Sequence, residues 1–217
     1  MVVLLLGGTG TLGTAFVKRY ADVYTIVAIS RNAPAYPQDK VDYIQADIIQ
    51  DRGKIITTVL KKYGNIDAVI FNAVRYDLGD LINKDSSIFT EELDVAFVAP
   101  LTIANTLLRD SWMREEAENN LKNNKNILFV TSGSGLGLIP NAGQATYSTI
   151  KSGLHMLTKH MSMEYAQYGV RVNAVAPGSL RDIPTLDTTV EEIKNCLDIP
   201  SIQGQIRAVD GNNVSVL

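Results

Sequence analysis

Val2-Val3-Leu4-Leu5-Leu6-Gly7-Gly8-Thr9-Gly10-Thr11-Leu12-Gly13 is the stretch on which the fold turns. An apolar run of strand length ends in a glycine-rich turn, and the pattern behind the turn is helical. Small residues at that junction let the backbone approach a pyrophosphate closely, and the amino terminus of the helix offers free N–H groups with a partial positive charge. A tight turn with no ligand is the plainer alternative. The position of the glycines directly after a buried strand favours a dinucleotide phosphate site at Gly7, Thr9, Gly10, Thr11, Leu12 and Gly13.

Outward from this turn, short runs rich in Val, Ile and Leu alternate with longer helical stretches. Seven strands are predicted: Val2–Leu6, Tyr24–Ile29, Val41–Gln45, Ile66–Phe71, Asn126–Thr131, Arg171–Val175 and Gln205–Val209. Helices are predicted near 11–21, 51–63, 87–109 and 145–168. The alternation gives an α/β class, a Rossmann-type doubly wound parallel sheet in three α/β/α layers. Too few units are present for an eight-fold barrel. Asp110–Lys125 is polar and reads as a helix end running into a surface loop. With no linker or repeat, residues 1–217 read as one domain.

Composition excludes several functions. Of the residues, 46% are hydrophobic and 20% charged, and the net charge of -3 leaves no broad basic footprint for nucleic acid. Cys196 has no partner for a disulfide, and two histidines, His155 and His160, make no metal cluster. No run has the length of a membrane span, and no charged leader precedes Lys18, so no membrane partner and a cytoplasmic location are expected.

Two further patterns carry chemistry. The second strand ends in Ile29-Ser30-Arg31-Asn32, where an acid would bind a ribose 2′-hydroxyl and an arginine suits a 2′-phosphate. Arg31 with Ser30 and Asn32 therefore points to NADP(H) over NAD(H), with NAD(H) still possible. Further on, Tyr147 and Lys151 stand four residues apart on one face of a predicted helix. A cation beside a phenol favours the phenolate and makes proton exchange easier, although the pair alone occurs on many solvated helices.

In order along nearly all of its length, the chain resembles the short-chain dehydrogenase/reductase family. The markers are GGTGTLG at 7–13, Asp47-Ile48, Asn72-Ala73, Ser134, the Tyr147/Lys151 pair, RVNAVAPG at 171–178 and IQGQIRAVDG at 202–211. The resemblance implies hydride transfer between nicotinamide C4 and a small carbonyl or alcohol. It implies Tyr147 as general acid in reduction, Lys151 on the nicotinamide ribose, and Ser134 on the substrate oxygen with Ser132 as the fallback. Asp47 and Ile48 would meet the adenine, Asn72 and Ala73 would run beside the cofactor, and Pro177, Gly178 and Leu180 would line the nicotinamide. A homodimer or homotetramer through the two long helices is implied as well.

The chain departs from the family's pattern in three places. Ala96 stands where the family has a relay asparagine, and Thr11 replaces the middle glycine of the turn. The segment after Gly178 is short, which predicts an open substrate site, and Asp182 stands where a threonine is usual, a change expected to weaken binding of the nicotinamide carboxamide. These departures motivate a rival reading, a sensor that binds NADP(H) with little turnover.

Overall fold

A computed structural model describes residues 1–140 and 142–217. Eight strands form one sheet: β1 (Val2–Leu6), β2 (Thr25–Ser30), β3 (Asp42–Gln45), β4 (Ala68–Phe71), β5 (Asn126–Val130), β6 (Arg171–Pro177), β7 (Ile206–Asp210) and β8 (Asn213–Val216). Their order is β3-β2-β1-β4-β5-β6-β7-β8. All pairs are parallel except β7 with β8. The chain therefore winds outward in both directions from β1 and β4, and the crevice at that reversal is where doubly wound sheets take ligands.

The α-helices are α1 (Thr11–Tyr20), α2 (Arg52–Tyr63), α3 (Ser86–Leu93), α4 (Ala99–Asp110), α5 (Ala117–Lys122), α6 (Ala145–Glu164) and α7 (Ile183–Asp198). Strand side chains alternate between the two faces. Leu4, Leu6, Val69, Phe71, Ile127 and Phe129 pack with α2, α4 and α6. Val3, Leu5, Ala68, Ile70, Leu128 and Val130 pack with α1 and α7. Both faces are covered, so the strands are apolar on both sides.

The seven predicted strands lie within two residues of β1 to β7, but the sheet has eight. The eighth follows a two-residue turn, Gly211-Asn212, with Gly211 at φ 57°, a conformation suited to a tight hairpin. All four β8 residues are exposed, so no buried apolar run announces the strand.

Two other expectations need correction. Asp110–Lys125 is no plain surface loop: Trp112 is fully buried, its Nε1 donating to the Ile66 carbonyl at 2.9 Å. Buried Asn120 ties the same segment down by donating to the carbonyls of Trp112 and Tyr168. The predicted helix 87–109 is α3 and α4 joined by a π-helical stretch, Asp94–Val98, with Ala96 buried inside it. There Phe97 comes so close to α6 that a Cβ at Gly153 would sit 3.2 Å from its ring.

The short segment after Gly178 is mostly α7, which packs on α1 and the sheet and so fills the lower layer. Asp182 is its N-cap and accepts from the Thr185 N–H at 3.0 Å and the Thr185 hydroxyl at 2.6 Å.

Candidate active site

The glycine turn is shaped by close approach. A Cβ on Gly13 would lie 2.3 Å from the Gly7 carbonyl oxygen, and one on Gly7 would lie 2.7 Å from the Ala73 nitrogen. Gly7 also sits at φ 90°, a region that side chains disfavour. Gly10, by contrast, would place a Cβ in ordinary contact, 3.7 Å from the Gly7 carbonyl oxygen, and caps α1 without any side-chain hydrogen bond, leaving the first N–H groups of the helix free.

In front of those N–H groups opens a cleft of about 370 Å³. Gly7, Thr9, Gly10, Thr11, Leu12, Ser30, Arg31, Asn32, Asp47, Ile48, Asn72, Ala73 and Leu180 all line it, so the structure gathers nearly the whole predicted cofactor set. Gly13 stands behind as the packing glycine. Asn72 donates to the Gly7 carbonyl at 2.9 Å, and Ser30 Oγ accepts from the Thr9 N–H at 3.1 Å, which fixes the turn to its neighbours. The Arg31 side chain is exposed and makes no ion pair among the described residues. Asp47 accepts from the N–H groups of Ile49 and Gln50, so one carboxylate oxygen is spent on its own turn. A dinucleotide fits these residues: the free helix terminus suits a pyrophosphate and the open end at Arg31 suits a ribose phosphate.

A second cleft of about 890 Å³ adjoins the first and shares Thr11, Val74 and Leu180 with it. Ser132, Ser134, Tyr147 and Gly178 line it, while Lys151 lies buried behind the surface. Pro177 is the last residue of β6 and lines neither cleft.

Lys151 is 3% exposed, and its ammonium donates to the Val130 carbonyl at 2.8 Å, the one hydrogen bond it makes among the described residues. Burial pulls its pKa down to about 8. The ammonium lies 5.6 Å from the centre of the Tyr147 ring. Burial raises the Tyr147 pKa above the ordinary phenol value, the Ser132 hydroxyl opposes this, and nearby Tyr76 adds to the rise. The phenol is thus protonated at neutral pH, and the expected depression by Lys151 is not the governing effect.

The two candidate serines separate here. Ser132, two residues past the end of β5, is the hydroxyl that lowers the Tyr147 pKa against burial, and it also accepts from the Ser134 N–H at 3.2 Å. Ser134 lines the same cleft from the 3₁₀ turn Gly133–Gly135.

Two neighbours join the site that were not among the predicted residues. His155, one turn beyond Lys151, is buried with its Nε2 2.8 Å from the Thr131 hydroxyl. Burial lowers its pKa, the Gly135 backbone raises it, and the charge of Lys151 lowers it further. Tyr76 stands edge-on to Tyr147, ring centres 4.6 Å apart. The spacing Tyr147, Lys151, His155 is a readable helical stripe, whereas no sequence signal marks Tyr76. No cluster that could hold a metal exists among the described residues, and no helix there is long and apolar enough to cross a membrane.

A nucleotide cradle continuous with a buried Lys, a phenol and a hydroxyl defines an oxidoreductase-type α/β protein. The family model described as short chain dehydrogenase matches residues 1–192, and the chain belongs to that family. It is 25% identical over 206 residues to glucose 1-dehydrogenase 2 of Bacillus subtilis, covering 87% of this chain and 75% of that protein. A short-chain dehydrogenase from Leptospira borgpetersenii with bound NAD+ superposes with a TM-score of 0.84 at 20% identity, over 97% of this chain and 91% of that one. ElxO with NADP bound gives 0.80 at 20% identity, covering 97% of each chain. Structures that resemble this chain thus include one with each form of the cofactor.

Proposed function

We propose that the chain is a single-domain, NADP(H)-dependent reductase of a small carbonyl compound, running also in the alcohol-oxidising direction. One observation carries the reading: a cation 3% exposed and bonded to a single carbonyl stands behind a half-buried phenol, at the mouth of a glycine cradle. The bound nicotinamide cofactor supplies the hydride chemistry.

The protein's own residues do the rest. The free N–H groups at the start of α1 would hold the pyrophosphate, and Arg31 would pair with a 2′-phosphate. Lys151 would use its spare N–H bonds on the ribose. Tyr147, held protonated by burial, gives its proton to the substrate oxygen. We assign the hydrogen bond to that oxygen to Ser132 over Ser134, because both line the cleft with Tyr147 and only the Ser132 hydroxyl favours the ionised phenol. Ala96 offers no amide for a relay, so protons return to Tyr147 from water in the open second cleft.

The Bacillus subtilis relative and the Leptospira borgpetersenii structure are named dehydrogenases, which supports an enzyme over a sensor. The exposed Leu93, Val98, Leu101, Met156 and Met163 on the π segment, α3, α4 and α6 support a dimer or tetramer built on these helices.

The test follows NADPH absorbance over small ketones and aldehydes, with NADPH and NADH affinities from calorimetry. NADPH should bind about one to two decades more tightly, and Arg31→Ala should remove that margin. Equal affinities in the parent protein defeat the cofactor assignment.

A further inference from the structure

Glu92 on α3 is 1% exposed, a carboxylate sealed from water close to the second cleft. It accepts from the Asp77 N–H at 3.0 Å and from the Thr146 hydroxyl at 2.6 Å, and its ion-pair partner is Lys84 at 3.5 Å. The Lys84 side chain is itself 5% exposed and donates to the Asp77 carbonyl. A buried ion pair is costly unless further hydrogen bonds complete it, and here they do. Those bonds hold both ends of segment 77–84 and fasten it to Thr146, the residue before Tyr147. A second fastening joins the Gly79 N–H to the Gly143 carbonyl at 3.0 Å, with the two backbones so close that a Cβ on Gly143 would meet Gly79 N at 2.8 Å.

The residue held at the edge of this clamp is Tyr76. Its ring meets that of Tyr147 at 66°, and its hydroxyl oxygen accepts from Gln144 Nε2 at 2.5 Å. Although so fixed, Tyr76 is 47% exposed, and Val74, Leu78 and Ile139 on the wall of the same cleft are 42%, 55% and 51% exposed. An exposed apolar wall borders the proposed acid.

We propose that this wall receives the apolar, ring-bearing body of the carbonyl substrate, with Tyr76 as the specificity-determining residue and the Lys84–Glu92 pair as its positioning device. The proposal rests on the reductase reading of the cleft. An aromatic aldehyde or ketone gains offset or edge-on contact with Tyr76. A polyhydroxylated substrate would set its hydroxyls against Val74, Leu78 and Ile139, which cannot pair with them, and covering an unpaired hydroxyl with apolar surface costs affinity. Of the charged and amide groups of the cleft, Arg181, Asp210 and Asn213 come from the β6–α7 connection and the β7–β8 hairpin, while Gln144 at the start of α6 donates its amide N–H to the Tyr76 hydroxyl.

The experiment measures kcat and KM for benzaldehyde and glyceraldehyde with NADPH in the parent protein, Tyr76→Phe, Tyr76→Ala and Glu92→Gln, with NADPH affinity from calorimetry as the control for folding. The parent should favour benzaldehyde, and Tyr76→Phe should keep that preference because it keeps the ring. Tyr76→Ala should raise the benzaldehyde KM about tenfold. Glu92→Gln should raise the same KM while changing kcat little, a split that general destabilisation does not produce. If that variant does not fold, Lys84→Met/Glu92→Met removes both charges together and should show the same KM rise. A parent that prefers glyceraldehyde, or a Tyr76→Ala protein with the parent's preference, overturns the inference and leaves the reductase reading standing. Saturation-transfer NMR of benzaldehyde on the NADP+-loaded protein reads the wall without turnover. Ring-proton transfer lost in Tyr76→Ala supports the inference even where no reduction occurs, and no transfer in the parent overturns it.

Discussion

Lys125 and Lys151 lie at opposite ends of β5, 1% and 3% exposed. The ammonium of Lys125, at the amino-terminal end, donates to Asn65 Oδ1, to the Ile66 carbonyl at 2.9 Å and to Asp67 Oδ1 at 3.1 Å. It also lies 5.9 Å from the centre of the Trp112 ring. All three of its N–H bonds are engaged. Lys151, at the carboxyl-terminal end, has the Val130 carbonyl alone, and burial takes its pKa to about 8. Burial alone therefore does not separate a structural cation from a functional one. The separation lies in whether its hydrogen bonds are completed by the protein or left for a ligand.

The largest expected effect breaks the functional end. Tyr147→Phe should lower turnover by about 10²–10⁴-fold with NADPH affinity nearly unchanged, since it removes only the proton carrier. Turnover equal to the parent's would show that another group is the acid.

Paired substitutions then sharpen the comparison. Lys125→Met strands Asp67 and the Asn65 side chain, and breaking a buried pair typically costs about 3–5 kcal/mol. Its melting temperature should fall steeply while the folded fraction still binds NADPH. Lys151→Met removes a cation that burial disfavours, so its melting temperature should hold or rise while turnover collapses. Thermal denaturation that ranks the two variants the other way contradicts the distinction between them.

A pH profile gives a smaller effect on the same contrast. Lys151 is charged below about pH 8 and neutral above it, so kcat/KM for reduction, which reports the free enzyme, should decline as pH rises through that value. A profile flat from pH 7 to about 9 removes Lys151 from the chemistry.

The cradle was legible because strand, turn and helix are consecutive: each glycine answers to backbone within a few residues or to the next strand. Tyr147 and Lys151 were legible only as members of an ordered series of markers. Spacing could not choose between Ser132 and Ser134, which lie on either side of Gly133 on one tight turn. Tyr76, Lys84 and Glu92 were invisible because they sit in polar-looking sequence and their partners are distant, Glu92 and Thr146 being 54 residues apart. Trp112 was misread for the same reason, as a lone aromatic in an Asn- and Glu-rich stretch. β8 escaped because an exposed edge strand needs no apolar run.

Asp182 provides the smallest and most discriminating prediction. By sequence it occupies the place of a threonine near the nicotinamide, which suggests weakened cofactor binding. In the structure it caps α7: its carboxylate accepts from the Thr185 N–H and hydroxyl, and those bonds hold its pKa below the ordinary carboxylate value. It lines neither cleft. A carboxylate with a depressed folded-state pKa stabilises the fold above its unfolded value and loses that contribution as pH falls through the folded one. Asp182→Ala should therefore lower the melting temperature by roughly 2–4 °C at neutral pH, and the gap to the parent should close on acidification. Affinity for NADPH should stay within about twofold, because α7 contributes the lower layer and its cap faces Thr185. A tenfold change in affinity at unchanged melting temperature would return Asp182 to the cofactor site and make its departure from threonine a feature of binding.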